Sequence, residues 1–183
     1  VQDASKSSTT YVTVTAPLPP QASQAGSIVY SETIGWGWDV GTWPNVIVNP
    51  ASPNAYRGDN GIEMQTTAQW GRVQLLAESN FKFNTTGYES LSFAINIGAN
   101  EEEDLYVGLL NVSGGVLQYQ NIRNYAENGT LNSYQWKHIR IPLSALSGLN
   151  TDVYGVEIQS TNPTTLYFDE VQFELNGTNG GCQ

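Results

Sequence analysis

The chain has 183 residues, 39% of them hydrophobic and 13% charged, and its 17 acidic against 7 basic side chains give a net charge of -10. That size fits one domain with short tails, and so acidic a balance excludes nucleic acid and anionic membrane surfaces, which are bound mainly through Lys and Arg. No apolar run of about 18 residues is present to span a membrane as a helix, and one His and one Cys cannot assemble a Cys/His zinc cluster.

Residues 1–26 are rich in Ser, Thr, Pro and Ala and read as an arm or linker. Within them Tyr11-Val12-Thr13-Val14-Thr15 alternates and is rich in β-branched residues, so it can form a strand, on its own domain or added to a neighbouring subunit. From 27 to 175 the pattern is short strands separated by turn signals. The expected strands are 27–33, 45–49, 61–67, 71–78, 90–97, 104–112, 115–125, 135–143, 153–160 and 165–175. Leu91, Phe93, Ile95 and Ile97 share one face, as do Leu105, Val107 and Leu109, and Ile139, Ile141 and Leu143. Such period-two patterning marks half-buried strands. Helical periodicity is confined to a possible turn at 144–149. Ten such strands predict an all-β fold, an antiparallel β-sandwich of the jelly-roll type. The tail, 176–183, is flexible in composition and carries Cys182, which is a free thiol, an interchain bridge or half of a bridge to residues beyond this chain.

Three groups of residues are candidates for function. The first is aromatic: Trp36, Trp38 and Trp43 fall within eight residues flanked by glycines, which reads as a loop. There they serve either as a stacking platform for the apolar C–H faces of sugar rings or as a cap on the end of the sandwich. Trp70 and Trp136, at strand starts, read as core. The second is Leu117 to Tyr125, where Tyr119, Asn121, Arg123 and Tyr125 share one strand parity. Rings beside amides and a guanidinium suit an array of sugar hydroxyls; the competing reading is a solvated outer face. The third is acidic. On strand parity Asp169 lies on the face of Val171 and Phe173, and an inward carboxylate is costly unless paired or metal-bound. Arg140 or Arg123 can pair it, a backbone turn can be capped by it, or Ca²⁺ can bind it with Glu32, at the end of the first strand, and Asp59. Four Asn-x-Ser/Thr sequons, at Asn84, Asn111, Asn128 and Asn176, together with low Lys and abundant Thr and Asn, predict a secreted, extracellular glycoprotein.

The order Ile28-Val29-Tyr30-Ser31-Glu32 … Trp36-Gly37-Trp38 … Trp43, Tyr56-Arg57-Gly58-Asp59-Asn60-Gly61-Ile62 … Trp70-Gly71, and Gly87-Tyr88-Glu89-Ser90-Leu91-Ser92-Phe93 continues to Trp136-Lys137-His138-Ile139-Arg140-Ile141-Pro142-Leu143-Ser144-Ala145-Leu146 and closes on Leu166-Tyr167-Phe168-Asp169-Glu170-Val171-Gln172-Phe173. Across residues 27–175 this resembles the carbohydrate-binding-module β-sandwiches of the galactose-binding-like group. The resemblance implies a module that binds a polysaccharide without cutting it, and a structural Ca²⁺ held by acids like Glu32 and Asp169. Where the family's first strand often ends in paired aspartates, this chain has Ser31-Glu32. Two other functions compete. One is an assembly protein of a fibre, coat or cell wall, a homo-oligomer joined through residues 1–26 or Cys182. The other is a jelly-roll hydrolase or lyase, for which Glu63, Glu78 and Glu157 are carboxylates without a spacing that singles out a pair.

Overall fold

The structure is a computed structural model and describes residues 27–78, 81–99 and 104–175. Two antiparallel sheets pack face to face. The first has strand order β10-β7-β13-β4-β3, with β1 added alongside β13. Its strands are β1 (Ile28–Tyr30), β3 (Val46–Ser52), β4 (Gly61–Thr66), β7 (Tyr88–Asn96), β10 (Trp136–Pro142) and β13 (Thr165–Leu175). The second has order β2-β5-β12-β8-β9, built from β2 (Trp38–Thr42), β5 (Arg72–Ala77), β8 (Leu105–Leu110), β9 (Val116–Asn121) and β12 (Gly155–Ser160). A two-stranded pair joins β6 (Phe83–Asn84) to β11 (Asp152–Val153). This is the predicted antiparallel β-sandwich, and its first and last strands lie side by side. Among the described residues no helix is long and apolar enough to cross a membrane.

The core follows the alternation. Leu91, Phe93 and Ile95 of β7, Ile139 and Ile141 of β10, and Phe168, Val171 and Phe173 of β13 face Val73 and Leu75, Val107 and Leu109, and Val156 and Ile158 of the second sheet. An aromatic cluster lies within this core: Phe83 stacks on Phe173 at 4.3 Å between ring centroids, and Trp38 lies 6.2 Å from Phe173 and 6.3 Å from Phe83. Trp38 is therefore 2% exposed, a core residue rather than part of a surface platform. Of the segment read as a glycine-bounded loop, Trp36 and Gly37 form a turn and Trp43 lies just past a strand, but Trp38–Thr42 is strand β2, and Gly41 within it faces the Leu76 side chain so closely that a Cβ would sit 2.8 Å from Leu76 Cδ1. Trp70 departs from expectation in the opposite direction. It sits in the β4–β5 turn at φ 62 and is 58% exposed.

Two strand ends also differ. The expected strand 115–125 stops at Asn121, whose side chain accepts the Arg123 backbone N–H and caps a short 3-10 helix, Ile122–Tyr125. In β13 a bulge between Asp169 and Gln172, with Glu170 at φ 52, shifts the register. A bulge adds one residue and reverses the alternation beyond it. Phe168, Val171 and Phe173 all enter the core, whereas Asp169 pairs with Ala94 on the outer face. The parity that placed Asp169 beside Val171 and Phe173 is thereby corrected. The 144–149 segment is a hydrogen-bonded turn, with Ala145 N–H to Pro142 O at 2.9 Å and Leu146 N–H to Leu143 O at 3.2 Å.

Candidate functional site

In the second sheet the residues between the core positions form a second, outward set. Cross-strand register places Gly41, Gln74, Glu157, Gly108 and Tyr119 in one row across all five strands. The adjacent row holds Arg72, Gln159, Tyr106 and Asn121, and Trp43 stands at its β2 end, just past Thr42. Glycines leave part of the floor bare, and at Gly108 nothing else fits. A Cβ there would lie 2.3 Å from Val116 Cγ1 and 3.3 Å from Tyr119 Cδ1.

Glu157 is at the centre and is 1% exposed. The Tyr119 hydroxyl donates to its Oε1, Gln74 Nε2 donates to its Oε2 at 2.6 Å, and Arg72 Nη1 lies 3.6 Å from Oε1. Both carboxylate oxygens thus have partners, as a buried charge requires. The Arg72 guanidinium also sits over the Trp43 ring, 3.4 Å from its centroid, a cation–π contact that fixes the indole. Burial, and then the hydrogen bond to Glu157, push the Tyr119 hydroxyl up to about 12, with Arg72 acting in the opposite sense. Tyr106 meets Tyr119 edge-on at 6.4 Å, and Asn121 Nδ2 donates to Asp104 Oδ1 at 2.9 Å. The face therefore offers rings at two sides (Trp43 and the Tyr106–Tyr119 pair), amides between them, and a guanidinium and a carboxylate locked to each other. Rings give stacking surface and fixed polar groups give orientation.

Of the residues singled out in the sequence, the structure brings Trp43, Tyr119 and Asn121 to this face. Trp36 is off it, 68% exposed and edge-on to Phe81 at 5.2 Å. Arg123 and Tyr125 lie in the 3-10 helix, beyond the end of the strand alternation, with the Tyr125 hydroxyl donating to Gln120 Oε1 at 3.2 Å. Arg72, Gln74, Tyr106 and Gln159 were missed as site residues, and Glu157 was noted only as a stray acid. Their signal was polar residues alternating with Val73, Leu75, Val107, Val156 and Ile158.

A family model described as carbohydrate binding domain 30 matches residues 27–175. The chain belongs to the carbohydrate binding domain 30 family. It is a carbohydrate-binding module. Among solved structures it is similar to a β-1,2-glucanase of Parabacteroides distasonis, with a TM-score of 0.61 and 13% identity, over 82% of this chain and 25% of that one. It is similar to the CBM22-1 xylan-binding domain of Paenibacillus barcinonensis Xyn10C, with a TM-score of 0.54 and 20% identity, over 84% and 97%. It is also similar to the family 11 carbohydrate-binding module of a Clostridium thermocellum cellulosomal cellulase, with a TM-score of 0.52 and 16% identity, over 81% and 94%. The module spans a quarter of the glucanase's length, and at these identities the likeness is one of fold. A search of curated protein sequences finds no match.

In the carbohydrate binding domain 30 module the acids expected at a metal serve the loop between β3 and β4. Asp169, fully buried, accepts the backbone N–H groups of Tyr56 at 2.8 Å and Arg57 at 2.9 Å on Oδ2, and that of Glu170 at 2.7 Å on Oδ1. It caps that loop; Arg140 pairs instead with Glu89 and Glu174. Glu32 Oε2 accepts from Asp59 N–H and Asn60 N–H, both at 3.0 Å. Burial, then the charges of Asp169 and Glu32, raise the Tyr30 hydroxyl to about 12. The Asp59 carboxylate does not complete a triad: among the described residues no group of three or more His, Cys, Asp or Glu side chains is placed to hold a metal.

Among the sequons, Asn84 donates to Asp152 Oδ1 at 2.7 Å and Asn111 Oδ1 accepts from Ser113 N–H and Gly115 N–H. Asn128 is exposed at φ 60. Asn176, Cys182 and the 1–26 arm, with the oligomer contacts expected of them, lie outside the described residues.

Proposed function

We propose that the outward face of the second sheet is the polysaccharide-binding cleft of this module, and that it takes the interior of a chain rather than its end. The observation that carries this is the connected set Trp43–Arg72–Glu157–Tyr119, which ties aromatic rings on both sides of the face to one buried carboxylate. The two rows run from edge strand to edge strand, so a polymer can enter and leave without meeting a closed end. The module binds without cleaving. A glycosidase needs two carboxyl groups flanking the bond, one of them a free proton donor or nucleophile, whereas both oxygens of Glu157 are engaged. The family and the chemistry of the cleft favour this over the fibre or coat reading. It is an extracellular role, since the polymers such modules meet lie outside cells.

The test is affinity for a polysaccharide panel. Removing the Trp43 or Tyr119 ring by Trp43→Ala or Tyr119→Ala costs about tenfold in affinity. Unchanged affinity in both variants contradicts the assignment. Structural Ca²⁺ belongs to the same proposal, with Glu32 and Asp169 as its carboxylates. Two acids converge on one loop, and among the described residues neither has an ion-pair partner. A cation would relieve that charge. Calcium then raises the thermal midpoint relative to chelated protein; equal midpoints mean that the backbone N–H groups suffice.

A further inference from the structure

The outward rows of the second sheet hold a polar side chain that the fold itself leaves unused. Gln159 lies on β12, the middle strand of that sheet, with Arg72 beside it on β5 and Tyr106 beside it on β8. Its neighbour Ile158 points into the core, so Gln159 points outward. It is 9% exposed, and among the described residues its amide has no hydrogen-bond partner. Buried amides are ordinarily paired, and those around it are. Gln74 Nε2 donates to Glu157, Asn121 Nδ2 donates to Asp104, and Asn121 Oδ1 accepts the Arg123 backbone N–H. Both oxygens of Glu157 are also taken. Among the described residues Ser92 Oγ is the buried side-chain polar atom that is both unpartnered and sealed from solvent. The Gln159 amide is not sealed. The little surface it keeps opens on the cleft floor, between Tyr106 and the Arg72 guanidinium that lies over Trp43.

We propose that Gln159 is the specificity-determining residue of the cleft, and that it recognises a sugar unit with two neighbouring free hydroxyls. It rests on the polysaccharide reading of the cleft. A carboxamide carries an acceptor oxygen and a donor nitrogen side by side at one end of a planar group. The oxygen accepts from one ring hydroxyl while an N–H donates to the next. Two adjacent hydroxyls fit that reach; two separated ones do not. A pyranose linked through its 1 and 4 positions keeps the 2- and 3-hydroxyls free and adjacent. Linked through 1 and 3, it keeps the 2- and 4-hydroxyls on the ring, which are not neighbours. Tyr106 is one strand step from Gln159, about 5 Å at the usual spacing, so a sugar beside that ring brings its hydroxyl edge over the amide. The other polar groups of the floor are already engaged with each other, so they shape the cleft while Gln159 distinguishes among ligands. A ligand without the hydroxyl pair leaves the amide buried and unpartnered, and sites of that kind discriminate strongly.

The experiment compares the full chain with Gln159→Leu by isothermal titration. The probes are β-1,4-linked glucohexaose, β-1,4-linked xylohexaose and β-1,3-linked glucohexaose. The full chain is expected to bind at least one 1,4-linked probe about tenfold more tightly than the 1,3-linked one. Gln159→Leu is expected to weaken that 1,4-linked probe by about tenfold and the 1,3-linked probe by no more than about twofold, so that the preference disappears. Thermal unfolding gives the control for a structural role. An amide without a partner contributes no hydrogen bond to the fold, so Gln159→Leu does not lower the thermal midpoint. Should Gln159→Leu not fold by circular dichroism, Gln159→Met, unbranched and flexible, carries the same test. A full chain that binds the 1,3-linked probe as tightly as the others overturns the assignment of Gln159 and leaves the cleft standing. So does a substitution that weakens all probes equally, or none. Failure of the full chain to bind any of the three overturns the cleft itself.

Discussion

Glu157 is a buried carboxylate that depends on neutral and cationic donors, and it couples the two walls of the cleft. Replacing it by Gln keeps the shape but removes the charge that holds Arg72 (3.6 Å away) and leaves one acceptor oxygen where Tyr119 and Gln74 now use two. Losing the cation–π contact in Arg72→Ala costs about 0.5–1 kcal/mol of order at Trp43. The expected outcome is a several-fold weaker affinity for both Glu157→Gln and Arg72→Ala, read by isothermal titration. The tyrosines give a second test at this scale. Tyr30 and Tyr119 hold their protons to about 12 in the folded state, against about 10 unfolded. The folded protein therefore binds more protons than the unfolded one in that interval. The stabilisation is complete below pH 10 and is lost as pH rises from 10 towards 12. An ultraviolet titration of the 10 tyrosines is expected to show a late-ionising fraction, and Tyr119→Phe to reduce it.

At the scale of strands, alternation was the readable signal. The apolar sets of β7, β8 and β10 identify those strands and their buried faces without knowledge of their partners. A bulge is not readable in this way, because the extra residue at Glu170 leaves the composition of the strand unchanged while reversing which side chains face inward. For that reason Asp169 looked like a core carboxylate and proved to be a loop clamp on the outer face. Glycine misled for a related reason. In β2 and β8 it stands where a neighbouring side chain already fills the space, not where the chain must turn. Gly108→Ala puts a methyl group 2.3 Å from Val116 Cγ1 and against the Tyr119 ring. Overpacking of this kind costs about 1–3 kcal/mol, and the same substitution is expected to weaken sugar affinity by displacing Tyr119. In the core, Phe173→Ala removes the ring that stacks on Phe83 and faces Trp38. A loss of about 3–5 kcal/mol in denaturant unfolding is expected, with the cleft residues untouched.

For the whole molecule, the site is a product of strand order. Arg72, Tyr106, Tyr119 and Glu157 come from four strands, and the order β5-β12-β8-β9 that makes them neighbours is not written in any local pattern. The sequence therefore showed Tyr119 and Asn121 as a polar-aromatic strand and Trp43 as one tryptophan of a group. It could not show that Glu157 joins them, nor that Trp36 and Trp38, two residues apart, go to surface and core. The central claim is that glycan binds on the outward rows of the second sheet. Backbone amide chemical-shift mapping during titration with an oligosaccharide of the bound polymer tests it directly. The account predicts that the largest shifts at low ligand fall on residues 41–43, 72–74, 106–108, 119–121 and 157–159. Shifts confined to the strand ends around Trp36, or to the first sheet alone, would contradict it.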